Sequence, residues 1–153
     1  WISPATCLWG LGYLSSQYGI NNNVTTLLDN HDLYILPVLN PDGYNYTMAE
    51  DRLWRKNRMQ YSSEDCFGTD LNRNYDDGHW GGTGSSNSSC SDVYHGPAPF
   101  SELETSAVRS KVLSIQDEQI VKSFFSIHSY GQLWLFAFGW TGDLPPESDE
   151  LVN

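Results

Sequence analysis

Residues 33–43 read Leu-Tyr-Ile-Leu-Pro-Val-Leu-Asn-Pro-Asp-Gly, and this stretch says most about the fold. Residues 33–39 are apolar without alternation, and a turn signal, Asn40-Pro41-Asp42-Gly43, follows them. A continuous apolar run closed by a turn is typical of a strand buried on both faces of a sheet. Because proline has no N–H group to donate, Pro37 indicates an edge position or a bulge in that strand.

Helical patterns lie on both sides of this strand. Residues 4–18 predict a helix with Ser3 as N-cap, Pro4 at its first position and Gly19 as its stop, and a short helical turn is expected around 25–29. Ser101-Glu102-Leu103-Glu104 has the pattern of a capping box, and apolar residues then recur at helical spacing as far as Ile115.

Two further apolar segments, 120–128 and 132–138, predict a second and a third strand. Alternating helices and buried strands predict an α/β fold, with a mostly parallel, mixed sheet covered by helices on both faces. The chain has 153 residues without an internal repeat or an interior boundary, so we expect one domain over 1–153. Residues 1–5 already read as the inside of a folded element, and we therefore expect that domain to be incomplete.

Residues 44–100 contain little periodic structure and are rich in Gly, Ser, Asn and aromatic residues. An irregular stretch of this length in a compact domain is usually functional. It holds Cys66 and Cys90, whose loop-like surroundings favour a disulfide, whereas Cys7 lies in an apolar helical pattern and is expected to be a small buried thiol.

The composition excludes several classes of partner. With 8 Lys+Arg against 19 Asp+Glu, the net charge of -11 argues against binding to nucleic acid or to an anionic membrane surface. No apolar run approaches the roughly 18 residues of a membrane span. The loop cysteines agree with a secreted, extracellular protein, which we expect to be monomeric, and so do three glycosylation sequons, Asn23-Val24-Thr25, Asn45-Tyr46-Thr47 and Asn87-Ser88-Ser89.

Three groups of residues could carry chemistry. His128 ends a predicted strand, where α/β sheets collect ligands, although position alone favours a structural histidine over a metal ligand or base. Arg52, Arg55 and Arg58 form a positive cluster that is either an anion site or a solvated face paired with nearby acids. Asp70-Leu71-Asn72-Arg73-Asn74 sets another arginine beside an amide within the irregular region.

Taken in order, these motifs resemble those of the zinc metallocarboxypeptidases of the pancreatic A/B type. The resemblance covers essentially the whole chain. It rests on Trp1 to Thr6, Asn40 to Tyr44, Arg52 to Arg58, Asp70 to Asn74, Cys90 to Gly96, Pro99 to Glu102 and Ser126 to Tyr130.

The resemblance implies a role for each matching residue. His128 matches a zinc ligand, and Asp70 matches the carboxylate that orients a zinc-bound histidine. Arg55 matches the arginine that polarises the scissile carbonyl and stabilises the oxyanion. Asn72 and Arg73 match the clamp on the free C-terminal carboxylate of a substrate. The other matches are Arg52, Ser129 and Tyr130 in the upstream subsites and Cys66 with Cys90 in a disulfide.

One zinc ion is the cofactor that the resemblance implies, with two further ligands from a His-x-x-Glu pair upstream of Trp1. The implied activity is hydrolysis of the C-terminal residue of peptides and proteins by zinc-activated water. The alternative is a non-catalytic peptide- or carbohydrate-binding module that keeps the carboxylate clamp without a metal. A His-x-x-Glu motif directly before Trp1 would favour the enzyme over the binding module.

Overall fold

The computed structural model describes residues 2–61, 66–146 and 148–149. Its elements are helix α1 (Ile2–Gln17), helix α2 (Asn22–Asn30), helix α3 (Pro41–Ala49), a 3-10 turn (Leu71–Arg73) and helix α4 (Leu103–Gln116). The chain divides into two compact units, Trp1–Pro41 with Phe125–Gln132 and Asp42–Phe124 with Leu133–Asn153. Trp1, the first residue of the first sequence motif, lies outside the described residues.

The first unit is built on α1 and α2, which confirms both helices predicted before residue 33. The predicted N-cap at Ser3 is wrong, because α1 already includes Ile2 and Ser3. The Asn21 side chain caps α2, since its Oδ1 accepts from the N–H groups of Asn23 (2.9 Å) and Val24 (3.4 Å). The Tyr18 hydroxyl donates to Asp29 at 2.9 Å, and Val24 is the buried apolar residue of α2. Cys7 is a free thiol in α1 and is only half-buried.

The turn predicted at 40–43 is wrong, because Pro41 begins helix α3 instead. Proline suits the first helical position, where no backbone N–H is needed and its fixed φ already matches the helix. Asp42 follows in the first turn, where a carboxylate is favoured by the positive end of the helix dipole. The same residues that signal a turn therefore also signal a helix start.

Helix α4 confirms the helix predicted after Ser101, but the predicted capping box is wrong. Glu102, and not Ser101, occupies the N-cap position, and it makes no side-chain cap. The Ser101 hydroxyl instead donates to Glu102 Oε1 at 2.7 Å and accepts from Asn74 Nδ2 at 2.9 Å. The Ser101 hydroxyl, which a capping box would use, is therefore engaged in a buried hydrogen-bond network.

The predicted sheet is not confirmed. Within the part of the chain that the structure describes, pairing is limited to the isolated bridges Gln60–Phe67 and Ser86–Tyr94. The three segments predicted as strands have no ladder partner there, and their large side chains are exposed, such as Leu36 (58%) and Phe125 (72%). A strand buried on both faces needs paired neighbours and covering helices, and the described residues supply neither for these segments. No described helix has the length and apolar content needed to cross a membrane.

Candidate active site

The predicted site residues divide between the two units. Arg52, Arg55, Asp70, Asn72 and Arg73 belong to the second unit, and His128, Ser129 and Tyr130 belong to the first.

Asp70 is the centre of the site in the second unit. Its carboxylate is almost fully buried, with 4% of the side chain exposed, and Oδ2 accepts from Arg55 Nε at 2.8 Å and lies 2.7 Å from Arg55 Nη2. Oδ1 accepts the Asn72 N–H at 3.1 Å, which caps the 3-10 turn. A buried charge needs a partner, and Arg55 provides it. Arg55 itself is 46% exposed, so its guanidinium is held on one side and open on the other.

Arg73 follows on the same 3-10 turn, and backbone carbonyls set its orientation. Its Nε donates to the Gly84 carbonyl at 2.8 Å and its Nη1 to the Asn72 carbonyl at 3.0 Å. Nε also lies 4.0 Å from Asp70 Oδ2. Arg73 is half-buried and Asn72 is exposed, and both line an open cavity of about 330 Å³ together with Tyr75 and Trp80. Its Nη2 has no hydrogen-bond partner among the described residues, and the cavity that Arg73 lines is large enough for part of a peptide.

Backbone contacts within the irregular region bring these residues together. The Asp70 N–H donates to Tyr94 O at 2.9 Å, and the Asn57 N–H donates to Thr69 O at 3.0 Å. The disulfide between Cys66 and Cys90 was predicted from the sequence. It joins the segment that leads to Asp70 to the segment that leads to Tyr94, with Cα atoms 5.1 Å apart. The site is thus fixed by long-range contacts and not by a helix or a strand.

A buried polar network supports the site, and sequence reasoning missed it. The Glu102 carboxylate, with 2% of the residue exposed, accepts from Asn57 Nδ2 at 2.7 Å and from the Tyr61 hydroxyl at 2.6 Å. Asn74 is fully buried, and its amide donates to His95 O and accepts from the Thr105 hydroxyl. These residues follow no periodic pattern in the sequence. The one signal for a buried polar network was the high content of Asn, Thr and Ser in this irregular region.

Burial acts on two tyrosines of this unit. Desolvation, followed by the hydrogen bond to Glu102, raises the pKa of the Tyr61 phenol. Desolvation, with a smaller effect of the Glu104 charge, raises the pKa of Tyr75 at the cavity. Both phenols therefore lose their protons at a higher pH than an exposed tyrosine does.

The arginine cluster divides by role. Arg52 is exposed, Arg55 pairs with Asp70, and Arg58 lies among aromatic rings. The Arg58 guanidinium carbon lies 3.8 Å from the ring centre of Tyr46, 4.5 Å from that of Trp54 and 4.6 Å from that of Phe67. This cation–π contact packs the segment that carries Arg55 against α3.

The other three predicted residues lie in the exposed segment Ser126 to Tyr130. His128 Nε2 lies 3.0 Å from the Ser126 hydroxyl, and the Ser129–Tyr130 peptide bond is cis. The Tyr130 side chain is fully exposed. Among the described residues, no group of three or more His, Cys, Asp or Glu could hold a metal ion. These residues therefore do not form a zinc site by themselves.

Comparison with known proteins identifies the family of this chain. The family model described as zinc carboxypeptidase matches residues 1–153. Mast cell carboxypeptidase A of Mus musculus is 43% identical over 153 residues, which is 100% of this chain and 36% of that protein. Carboxypeptidase B2 of Bos taurus is 44% identical over 151 residues, which is 99% of this chain and 35% of that protein.

A solved structure of a related protein also matches this chain. Bovine thrombin-activatable fibrinolysis inhibitor, in complex with a tick carboxypeptidase inhibitor, matches with a TM-score of 0.88 and 43% identity over 99% of this chain and 49% of that chain. Structures of this kind have α/β folds. The chain spans about a third of the length of the curated relatives it matches. On the match of the family model to every residue, this chain belongs to the zinc carboxypeptidase family.

Proposed function

We propose that this chain is part of a secreted metallocarboxypeptidase that removes the C-terminal residue of peptides and proteins. The observation that carries the proposal is Arg73, which is held by two carbonyls on an open cavity that Asn72 also lines. A guanidinium fixed in this way presents its remaining donors, at Nη2, to a carboxylate. Recognition of a free carboxylate restricts cleavage to the end of a chain.

Arg55 would act on the scissile bond. Asp70 engages its Nε and Nη2, which leaves Nη1 without a protein partner among the described residues. A positive group that is already oriented stabilises the negative charge that develops on a carbonyl oxygen without having to reorganise. Asp70 would therefore position the Arg55 guanidinium, even if the Asp70 carboxylate also contacts another group in the full-length protein.

Zinc is the proposed cofactor, on the strength of the family match. His128 is the residue of this chain that would bind it, and two further ligands would come from upstream of Trp1. The described residues do not assemble such a site by themselves. Arg52, Ser129 and Tyr130 would contact the substrate upstream of the scissile bond, and all three are exposed.

The remaining features of the proposal concern the whole protein. The mostly parallel, mixed sheet would form when the segments 33–39, 120–128 and 132–138 pair with strands of the full-length domain. The protein would be extracellular and monomeric. The family match gives no support to a binding module without a metal.

The two arginines can be told apart by kinetics on the full-length protein. Arg73→Ala should reduce the preference for a free peptide over its C-terminal amide by about 10- to 150-fold, since a charge-assisted hydrogen bond contributes about 1.5–3 kcal/mol. Arg55→Ala should mainly lower kcat, by about 100- to 1,000-fold, because an oxyanion donor acts as charge develops.

The control is Lys111→Ala, which removes an exposed positive charge of helix α4 outside the proposed site and should change neither parameter. An Arg73→Ala enzyme that still strongly prefers the free acid would contradict the clamp. An Arg55→Ala enzyme with only a raised KM would contradict the oxyanion role.

A further inference from the structure

One sequon lies in the loop that follows Ser86. Asn87 and Ser88 are exposed, and Ser89 is half-buried. Neither the Asn87 amide nor the Ser89 hydroxyl has a hydrogen-bond partner among the described residues. A sugar attached to the Asn87 amide would therefore extend into solvent and break no side-chain contact.

The loop is nevertheless held firmly at its ends. The Ser86 N–H donates to Val93 O at 3.0 Å, and Ser86 O accepts from the His95 N–H at 3.1 Å. Cys90 closes the loop through its disulfide, and the buried Lys56 ammonium donates to Ser89 O at 2.6 Å. The loop contributes only backbone atoms and the Cys90 sulfur to these contacts, so a substituent on the Asn87 side chain leaves them intact.

The other two sequons lie in helices, and their hydroxyls are engaged. The Thr47 hydroxyl in α3 is buried and donates to Tyr44 O at 2.7 Å. The Thr25 hydroxyl in α2 donates to Asn21 O at 3.0 Å and accepts from the Gly19 N–H at 2.9 Å. A modifying enzyme must reach the amide and the hydroxyl of a sequon together. In both helices the hydroxyl is already engaged in hydrogen bonds with the backbone, so it is less accessible to such an enzyme.

We propose that Asn87 is the main acceptor of an N-linked oligosaccharide in this chain. The donor is an oligosaccharide carried on a lipid pyrophosphate. The Asn87 amide nitrogen forms a bond to C1 of the sugar and loses one proton, the bond from C1 to the pyrophosphate oxygen breaks, and the lipid pyrophosphate leaves with the electron pair. No oxidant or reductant is required.

The proposal is tested by translating the full-length protein, behind a cleavable secretory leader, in the presence of endoplasmic-reticulum microsomes. Protease protection selects the translocated chains, so the result does not depend on the proposed secretion of the natural protein. Peptide mapping after enzymatic removal of the glycan in heavy-oxygen water then measures the occupancy of Asn23, Asn45 and Asn87.

Asn87 should have the highest occupancy of the three. Asn87→Gln and Ser89→Ala should each abolish the glycan on this loop, whereas Ser88→Ala keeps the sequon and should retain it. Translocated chains that are unglycosylated, or that carry more glycan at Asn23 or Asn45 than at Asn87, would overturn the proposal.

Discussion

Asp70 shows how much of this site depends on a single side chain. Its two oxygens hold Arg55 on one side and the 3-10 turn of Asn72 and Arg73 on the other. The sequence placed Arg55 and Asp70 in separate motifs, 15 residues apart. Their contact could not be predicted from spacing, because it depends on the loop contacts and the disulfide that return the chain to this point.

Tyr61 provides a test of the buried network through pH. Its pKa is raised in the folded protein, while a phenol in an unfolded chain titrates near pH 10. Its contribution to stability is therefore complete below about pH 10 and is lost as the pH rises towards the folded pKa.

Tyr61→Phe should lower the free energy of unfolding at neutral pH by about 1–3 kcal/mol, since Glu102 loses a buried donor. The fall in stability above pH 10 should also be smaller in the variant. Urea unfolding at several pH values measures both. The control is Tyr13→Phe, which removes an exposed hydroxyl without a hydrogen bond among the described residues. It should change neither the free energy of unfolding at neutral pH nor its fall above about pH 10. Equal effects of the two substitutions would contradict a stabilising role of the network.

The helices were the elements that the sequence predicted well. Helices α1, α2 and α4 were predicted because apolar spacing and local stop or start signals act within a few residues. Helix α3 was missed because Asn40-Pro41-Asp42-Gly43 is compatible with both a turn and a helix start. The strands remain unconfirmed, since pairing is a long-range property that an apolar run does not determine.

Helix α2 allows its cap to be tested with a matched pair. Asn21→Ala removes the oxygen that accepts from two N–H groups at the start of the helix and should cost about 1 kcal/mol in the free energy of unfolding. Asn22→Ala changes the exposed first residue of α2 and leaves the cap in place, so its effect should stay within about 0.5 kcal/mol. Urea unfolding compares the two, and equal effects would show that the cap is not stabilising.

At the scale of the whole chain, the interior is more polar than the composition suggested. Buried apolar residues among those described are Val24, Leu71 and Tyr94, while many large apolar side chains are exposed, such as Trp134 at 87%. The segments predicted as strands contribute much of this exposed apolar surface. This agrees with our proposal that they are covered in a longer protein, since the chain spans about a third of its curated relatives.

The central claim is that the full-length protein releases single residues from a free C-terminus. The most direct measurement is mass spectrometry over time of one defined peptide, as the free acid and as the C-terminal amide, with the zinc-loaded full-length protein. We predict a ladder of products that shorten one residue at a time from the C-terminus of the free acid, and an unchanged amide. Internal cleavage, shortening from the N-terminus, or equal cleavage of the amide would contradict this account.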